Sequence, residues 1–436
     1  MSAASGAAPP RAASTTGAKL YDFVLAAVVV YLPYQTHFTV EIPLKGLNIV
    51  NLLFLLVLAM VLLRKGPKET HPTPLKGRFV FLFAMMALSF VLGEMNYTAF
   101  IEDDVTMLKN NIFFMLFYFL YFHAVRELRT LRVVFLAILF VTFLVSLQGV
   151  RQALDYGIGA FNPMKRVTGP YGAGSVTGAN LVAAFYVVFV PVAFSVFLLW
   201  KSRPFVRMAS LLTVALGVMA AFYTYSRQSY VALSVLFLLQ SARRAKVVAI
   251  IVLIGLATYQ LWAPEGVIER IEMTSEGEGA ASAAAAPGGP DGQLDESTES
   301  RFLLWHGGMQ LLASRPWGIG LFHFHDEIGS VVPSYAGFDA HNAFVLTLVE
   351  CGPQGLAALL WLLVGLLGLA RRVEKVPGEE ARVVGASLLV AMLGVVLTNL
   401  FGSRVYNGEV MTNLWILAAL GARLTVMHAQ GELSER

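Results

Sequence analysis

The chain has 436 residues, of which 57% are hydrophobic and 14% are charged, whereas charged residues make up about 25% of a soluble globular protein. This composition excludes a soluble enzyme and argues against a nucleic-acid partner. The single cysteine excludes an internal disulfide framework. The recurrent apolar runs instead predict an all-α polytopic membrane protein, whose surroundings are membrane lipids.

Twelve apolar runs are long enough to cross the hydrocarbon core of a bilayer, which is about 30 Å thick. They predict transmembrane helices at residues 20–35, 47–63, 79–93, 107–125, 131–149, 178–200, 206–223, 225–241, 247–262, 342–370, 382–401 and 411–427. The resulting organisation has five parts. They are a disordered cytoplasmic tail (1–18), transmembrane helices one to nine (19–262), a large outer loop (263–341), transmembrane helices ten to twelve (342–428) and a second cytoplasmic tail (429–436).

The connections between these spans alternate between two kinds. One kind is rich in Lys and Arg, as in "RKGPKETHPTPLKGR", "SARRAK" and "RRVEKVPGEEAR". The other kind is poor in cations, as in "GEMNYTAFIEDDVT" and the segments 150–177 and 263–341. Because basic loops stay in the cytoplasm, both termini are predicted to be cytoplasmic and the two long segments to face outward.

The large outer loop has two different parts. Residues 275–298 are Ala/Gly-rich and acidic, a composition typical of a flexible insert. The following segment predicts an amphipathic helix at about 300–313, which lies on the membrane surface or caps the bundle. Its predicted apolar face consists of Phe302, Leu303, Trp305, Met309 and Leu312. The "RPWGIG" sequence ends this helix, since Pro and Gly block its continuation.

Outward cations oppose the charge rule, so each needs a reason. We interpret Lys45, Arg270 and Arg315 as ordinary surface cations. Arg227 lies about a turn inside the eighth span, where an arginine is expensive unless it has a polar partner or a wet cavity; it can also snorkel outward. Arg151 and Arg404 are predicted at the same depth. Converging guanidiniums suit a diphosphate, and at the outer leaflet this indicates a polyprenyl diphosphate lipid.

His341 lies where polar sequence changes to the tenth span. Asp339 or Asn342 can cap this helix, which places the histidine at the positive end of the helix dipole, where the neutral imidazole is favoured. A neutral imidazole is what a general base requires. From these residues alone, two interpretations remain open: a catalytic base, and an interfacial histidine that only caps or anchors the helix.

Two further clusters have spacings that could hold a divalent cation. One is the acidic triplet Glu102-Asp103-Asp104, and the other is "HFHD", with His323, His325 and Asp326. Both are equally typical of solvated surface sequence. No metal and no other cofactor is expected in the chemistry, because arginines can neutralise a diphosphate.

Three motifs resemble those of the O-antigen ligase/polymerase superfamily. In chain order they are "SRFLLW" (300–305), "RPWGIG" (315–320) and "AHNAFVLTLVECGPQG" (340–355), and "SRQSYVAL" (226–233) is similar to the family's Arg-bearing segment. The resemblance is carried by residues 220–370. It implies a membrane glycosyltransferase with a GT-C-like fold, in which the large periplasmic loop between helices nine and ten carries an amphipathic helix.

The resemblance also implies roles and partners. A glycan is transferred from undecaprenyl diphosphate, in the periplasm, to a sugar hydroxyl with inversion, so the protein lies in the bacterial inner membrane. In the ligase branch the donor is lipid-linked O-antigen and the acceptor is the lipid A–core oligosaccharide. His341 is then the base, and Arg227 and Arg301 bind the diphosphate; Arg151 and Arg404 join them by depth and side alone. The supporting residues within the motifs are Ser226, Trp305 and Asn342.

Three alternatives share parts of this pattern. An O-antigen polymerase performs the same chemistry on a lipid-linked acceptor, but one dominant outer loop favours the ligase. A protein O-oligosaccharyltransferase of the same superfamily is disfavoured because the chain ends soon after the last span. A lipid-linked glycan flippase or transporter should show matching halves and ionisable groups near mid-bilayer, which the sequence lacks.

Overall fold

A computed structural model describes residues 15–38, 47–64, 71–95, 101–159, 161–172, 176–272 and 298–433. Regular structure over these ranges is entirely helical, and the predicted all-α polytopic fold class is confirmed. Most of the predicted tail at 1–18, Lys45 and nearly all of the insert at 275–298 lie outside the described residues.

Fifteen α-helices follow one another along these ranges. They are α1 (Thr15–Tyr31), α2 (Ile49–Leu63), α3 (Lys76–Glu94), α4 (Ile101–Ala124), α5 (Leu128–Tyr156), α6 (Val176–Leu199), α7 (Pro204–Phe222), α8 (Arg227–Arg244), α9 (Lys246–Ala257), α10 (Glu265–Glu272), α11 (Thr298–Ser314), α12 (Phe324–Val331), α13 (Ala343–Glu374), α14 (Glu379–Asn399) and α15 (Gly408–Ala429).

Each of the twelve predicted spans coincides with one of these helices. Within the described ranges, nine helices are long and apolar enough to cross a membrane: α1, α3 to α7 and α13 to α15. Two others, α2 and α9, are apolar but shorter, and α8 carries arginines at both ends. The chain is therefore a multi-pass membrane protein by composition and length, while the count of twelve spans stays a prediction.

The innermost helices are α6 and α15, nearly all of whose residues are buried. Helix α6 packs against α7 and α14, and α15 packs against α4. Helix α13 lies between α3 and α14. This arrangement brings the beginnings of α8, α13 and α15 to the same end of the bundle as the final turn of α14, which we call the site end.

Helix α13 is kinked at Gly352, whose φ of 71° is left-handed. The following Pro353 has no N–H, so the carbonyl of Val349, four residues earlier, lacks its usual helical donor. The backbone N–H of Ile319 donates to this carbonyl instead (3.0 Å), and that of Gly320 donates to Glu350 O (3.1 Å). The kink thus provides a docking edge for the "RPWGIG" turn.

This docking requires glycine at two positions of the turn. Gly318 and Gly320 have φ values of 103° and 111°, a region that residues with a Cβ avoid. A Cβ on Gly318 would lie 2.7 Å from the backbone nitrogen of Gly352. The turn therefore stops the preceding helix and clamps it to the start of α13.

The predicted amphipathic helix at 300–313 corresponds to α11, and its predicted apolar residues fall on two sides. Leu312 is buried against the protein, whereas Phe302, Leu303 and Met309 are not covered by it. The packed face also contains Leu304 and Leu311, together with the buried Gly307 and Gly308, which lie against Val332 and Phe324. Glycine in a helix lets another backbone approach closely, and periodicity of large apolar residues does not reveal such a face.

Candidate active site

His341 lies immediately before Asn342, the residue that caps the N-terminus of α13. The side-chain oxygen of Asn342 accepts hydrogen bonds from the backbone N–H groups of Phe344 (2.9 Å) and Val345 (3.1 Å), so Asn342 is the N-cap. The φ of His341 is 49°, and a left-handed backbone is uncommon for any residue with a Cβ. Such outliers cluster at functional sites because the surrounding contacts must impose them.

A carboxylate accompanies the imidazole. Oδ2 of Asp339 lies 3.9 Å from Nδ1 of His341, and its Oδ1 accepts a hydrogen bond from Ser403 Oγ (3.2 Å). The His341 side chain is only 25% exposed. The distance between Asp339 Oδ2 and His341 Nδ1 is longer than a hydrogen bond, so the structure places the carboxylate near Nδ1 and leaves Nε2 as the nitrogen farther from it. A small movement would give the base–orienter contact of acid–base sites.

The loop between α14 and α15 closes over the start of α13. The backbone N–H of Ala343 donates to Gly402 O (3.1 Å), beside the contact between Ser403 and Asp339. The buried side chain of Asn399 accepts from the backbone N–H groups of Arg404 and Val405, both at 2.8 Å. The loop is therefore bonded to α13 through Gly402 and to the end of α14 through Asn399. Arg404, which is half-buried, lies in this loop next to Ser403, the serine that contacts Asp339.

Helix α11 contacts both the start of α13 and the α14–α15 loop, and it does so through two residues that the sequence analysis named, Trp305 and Arg301. Nε1 of Trp305 donates to Ala340 O at 2.9 Å, directly before His341 in the chain. The guanidinium of Arg301 lies over the ring of Phe401, 5.7 Å from its centroid. Residues four apart share a helix face, so one face of α11 contacts both the His341 segment and the loop that holds Arg404.

Arg227 reaches the same end of the bundle on α8. It is the first residue of this helix and is half-buried, while Ser226 is the N-cap, without a side-chain cap hydrogen bond. The next residue, Gln228, donates through Nε2 to Thr398 O in the last turn of α14 (2.8 Å). Arg227 is thus placed beside the end of α14. The final residue of α14, Asn399, binds the backbone of Arg404.

A turn at residues 223–226 sets the start of α8. The backbone N–H of Val167 donates to Tyr223 O (2.9 Å), and Nε of Arg166 donates to Thr224 O (2.7 Å). Tyr225 has a left-handed φ of 52°. Both Tyr223 and Tyr225 are buried, so the turn packs into the protein and holds the start of α8 in place.

Two outward arginines behave differently from this group. The Arg151 side chain is 82% exposed and forms an ion pair of 3.8 Å with Asp155 on its own helix; its described contacts do not join it to the other candidates. The interpretation of Arg270 as a surface cation is wrong, because Arg270 is buried. Its guanidinium lies 4.8 Å from the ring centroid of Phe161 and its Nε lies 3.5 Å from Tyr225 O. Arg270 therefore packs beneath the turn that precedes Arg227.

The contacts at the site end combine a half-buried imidazole, an adjacent carboxylate and arginines from three separate elements. The N-termini of α8, α13 and α15 lie at this end, and their partial positive charge adds to that of the arginines. Chemically, this arrangement can deprotonate a hydroxyl and stabilise an anion nearby. Sequence reasoning considered Asp339 only as a helix cap and did not identify Ser403, since their contact spans 64 residues.

The comparison with known families agrees with the sequence motifs. Residues 212–360, about a third of the chain, match the family model described as O-antigen ligase. This segment runs from α7 into α13 and contains Arg227, Arg301 and His341, whereas Arg151 and Arg404 lie outside it. The predicted resemblance to the O-antigen ligase superfamily is confirmed. No curated protein matches the chain.

Proposed function

Because residues 212–360 carry an O-antigen ligase domain, whose family comprises glycosyltransferase-like ligases and polymerases, we propose that the protein is an O-antigen ligase. It transfers O-antigen polysaccharide from undecaprenyl diphosphate to the lipid A–core oligosaccharide. The reaction takes place at the periplasmic face of the bacterial inner membrane, with both termini of the chain in the cytoplasm. The observation that carries the proposal is that the His341–Asp339 pair and arginines from α8, α11 and the α14–α15 loop lie at one end of the bundle.

His341 serves as the general base. Its Nε2 takes the proton of an acceptor sugar hydroxyl as the hydroxyl oxygen attacks the anomeric carbon of the donor. Asp339, beside Nδ1, holds the imidazole with Nε2 directed at the acceptor and stabilises the imidazolium that forms. A new glycosidic C–O bond forms while the bond from the anomeric carbon to the phosphate oxygen breaks, so attack from the opposite face inverts the anomeric centre.

The leaving group is undecaprenyl diphosphate, which departs with the bonding electron pair. Arg227, Arg301 and Arg404 surround it with hydrogen-bond donors of fixed geometry, and such forks match phosphate oxygens. Their attraction to the negative charge of the diphosphate is stronger in a partly buried setting than in water. These side chains, together with the helix N-termini, provide the charge stabilisation for this step. Arg151 makes a smaller contribution to diphosphate binding, because its exposed side chain pairs with Asp155.

Deletion of the gene, followed by analysis of lipopolysaccharide and of the lipid-linked pool, tests the proposal. Loss of a ligase leaves cores without O-antigen, while long polymer accumulates on undecaprenyl diphosphate in the periplasm. Cores that carry a single repeat unit would instead identify a polymerase. Lipid-linked intermediates retained on the cytoplasmic side would identify a flippase, and either result would overturn the proposal.

A further inference from the structure

Three potential metal ligands from distant parts of the chain meet beside the "RPWGIG" turn. They are Glu94 in the last turn of α3, Asp104 in the first turn of α4 and His323, the residue before α12. One carboxylate oxygen of each acid and one imidazole nitrogen lie within 4.8 Å of one another. Ligand atoms that each lie about 2.0–2.2 Å from one ion are at most about 4.4 Å apart, so a small inward movement of these side chains would complete a site.

A pair of glycines makes this meeting possible. A Cβ on Gly93 would lie 2.9 Å from Cδ2 of His323 and 3.1 Å from Cα of Gly320. Gly320 in turn has the left-handed φ described above. The backbone after the turn therefore comes against α3 immediately before Glu94, and this contact directs His323 toward the two acids.

The carboxylate oxygens of the cluster are shielded from solvent, although the two acids are buried to different degrees. Asp104 is 6% exposed and His323 is 3% exposed, whereas Glu94 as a residue is half-buried. Among the described residues, Oδ2 of Asp104 and both carboxylate oxygens of Glu94 are shielded from solvent without a hydrogen-bond partner. Burying charged oxygens without a partner is expensive, and a bound cation removes this penalty.

The surroundings of His323 also fit a metal ligand. Its Nδ1 lies 3.5 Å from Oδ2 of Asp326, and metal-bound histidines commonly direct their second nitrogen to a carboxylate. The buried Glu350 accepts a hydrogen bond from the backbone N–H of Phe324, the next residue (3.2 Å). This adds another acidic group near the cluster.

We propose that Glu94, Asp104 and His323 bind a divalent transition-metal ion. The mixed set of two carboxylates and one imidazole matches Zn²⁺ or Mn²⁺ better than Mg²⁺ or Ca²⁺, which prefer oxygen ligands alone. Three protein ligands leave coordination positions for water. The site shares none of the residues assigned to glycosyl transfer, and its ion fastens α3 and α4 to the turn that docks on α13.

The test uses the full-length protein in detergent, with any affinity tag removed and bound metals stripped by a chelator. Zn²⁺ and, separately, Mn²⁺ are added, the excess is removed by desalting, and the retained metal is measured by mass spectrometry. We expect about one ion per chain and a metal-dependent rise in Tm. Asp104→Asn and His323→Gln should abolish both effects, and Glu94→Gln should weaken binding at least tenfold.

Matched controls lie next to the proposed ligands. Asp103→Asn and His325→Gln change the same residue types at neighbouring exposed positions, and both variants should retain the ion. Without metal, Asp104→Asn should elute as the native species with a Tm no lower than that of the stripped wild type, since it removes a buried charge. A wild-type chain that retains neither ion, or an Asp104→Asn variant that retains as much as Asp103→Asn, would overturn the proposal.

Discussion

His341 combines a proposed chemical role with an unfavourable backbone conformation. Its φ of 49° costs a residue with a Cβ roughly 1–2 kcal/mol, a cost that glycine avoids. We therefore expect His341→Gly to lower transfer by about 10²–10⁴-fold while its Tm equals or exceeds that of the wild type. Thermal unfolding and transfer assays on the same sample separate the two effects. A Tm loss in proportion to the activity loss would make the histidine structural.

The orienting role of Asp339 can be tested with a substitution that keeps the size of the side chain and removes its charge. Asp339→Asn keeps an oxygen that accepts from Ser403 but no longer stabilises an imidazolium at His341. We expect transfer to fall by about 10²-fold or more and the pH–rate profile to change, with donor affinity unaltered. Ser403→Ala serves as a milder control. An Asp339→Asn variant with the wild-type rate and pH profile would exclude the carboxylate from the mechanism.

Arg227 and Arg151 form a natural comparison, since both are outward arginines but only Arg227 is half-buried beside α14. A hydrogen bond to a charged group contributes about 1.5–3 kcal/mol, so Arg227→Ala should weaken donor binding by roughly 10- to 100-fold. Arg151→Ala should change it less, because the side chain is exposed and paired with Asp155. Equal effects of the two substitutions on the measured donor Kd would contradict the placement of the diphosphate.

At this scale, sequence reasoning worked where a residue's role is local. Asn342 was one of two predicted caps, and the structure selects it because its side chain reaches the two following amides. The proximity of Asp339 to Ser403 was not predictable, since it depends on how α13 meets a loop 64 residues later. The proximity of Asp104 to His323 was not predictable either. Sequence reasoning left two interpretations open for each of their clusters, a divalent-cation site and solvated surface sequence. Packing of α3 against the turn buries His323, and Asp104 is buried at the start of α4.

Among the elements, the turn at 315–320 and the kink of α13 act as one unit. Gly318→Ala adds a Cβ that would lie 2.7 Å from Gly352 N and also opposes a positive φ. Gly337→Ala meets the same backbone restriction, with φ 83°, but has nothing within 4 Å of the added Cβ. We expect Gly337→Ala to cost about 1–2 kcal/mol and Gly318→Ala distinctly more, measured as loss of Tm. Equal losses would show that the turn does not clamp α13.

Helix existence was predictable from apolar runs because a helix inside a membrane must satisfy its own backbone hydrogen bonds. Helix faces were not all predictable. The packed side of α11 contains Gly307 and Gly308, and small residues in contact with another element have no hydrophobic signature. The kink at Gly352 follows the visible "CGPQG" sequence, but its partner, the "RPWGIG" turn, could be assigned only once both backbones were placed.

For the whole molecule, the predicted orientation rests on charge alone and can be measured directly. The only cysteine, Cys351, is buried, which favours labelling of introduced cysteines. Met164→Cys, at an exposed position of the 161–172 segment, should react with a membrane-impermeant maleimide at the periplasmic face. Ser202→Cys, exposed between α6 and α7, should react only after the inner membrane is disrupted. The reverse pattern would invert the topology.

The site as a whole depends on the long-range arrangement of α8, α11, α13 and the loop before α15. Sequence reasoning proposed four of these residues in motif order, namely Arg227, Arg301, Trp305 and His341, because the family motifs contain them, and their roles stay predictions. It added Arg404 from depth and side, and the contacts of Asn399 and Gln228 support that placement. The same argument from depth added Arg151. The exposed position of Arg151 counts against its role in binding the diphosphate, because depth in the membrane does not specify which way a side chain faces.

Transfer by the purified, reconstituted protein tests the central claim most directly. Wild type and His341→Gly, matched for Tm and for donor affinity, are incubated with undecaprenyl-diphosphate-linked O-antigen and lipid A–core. The wild type is expected to convert the core into polymer-bearing lipopolysaccharide and to release undecaprenyl diphosphate, while the variant binds the donor without forming product. Product from His341→Gly at a rate comparable to that of the wild type, or a wild type that only lengthens its lipid-linked donor, would contradict the account.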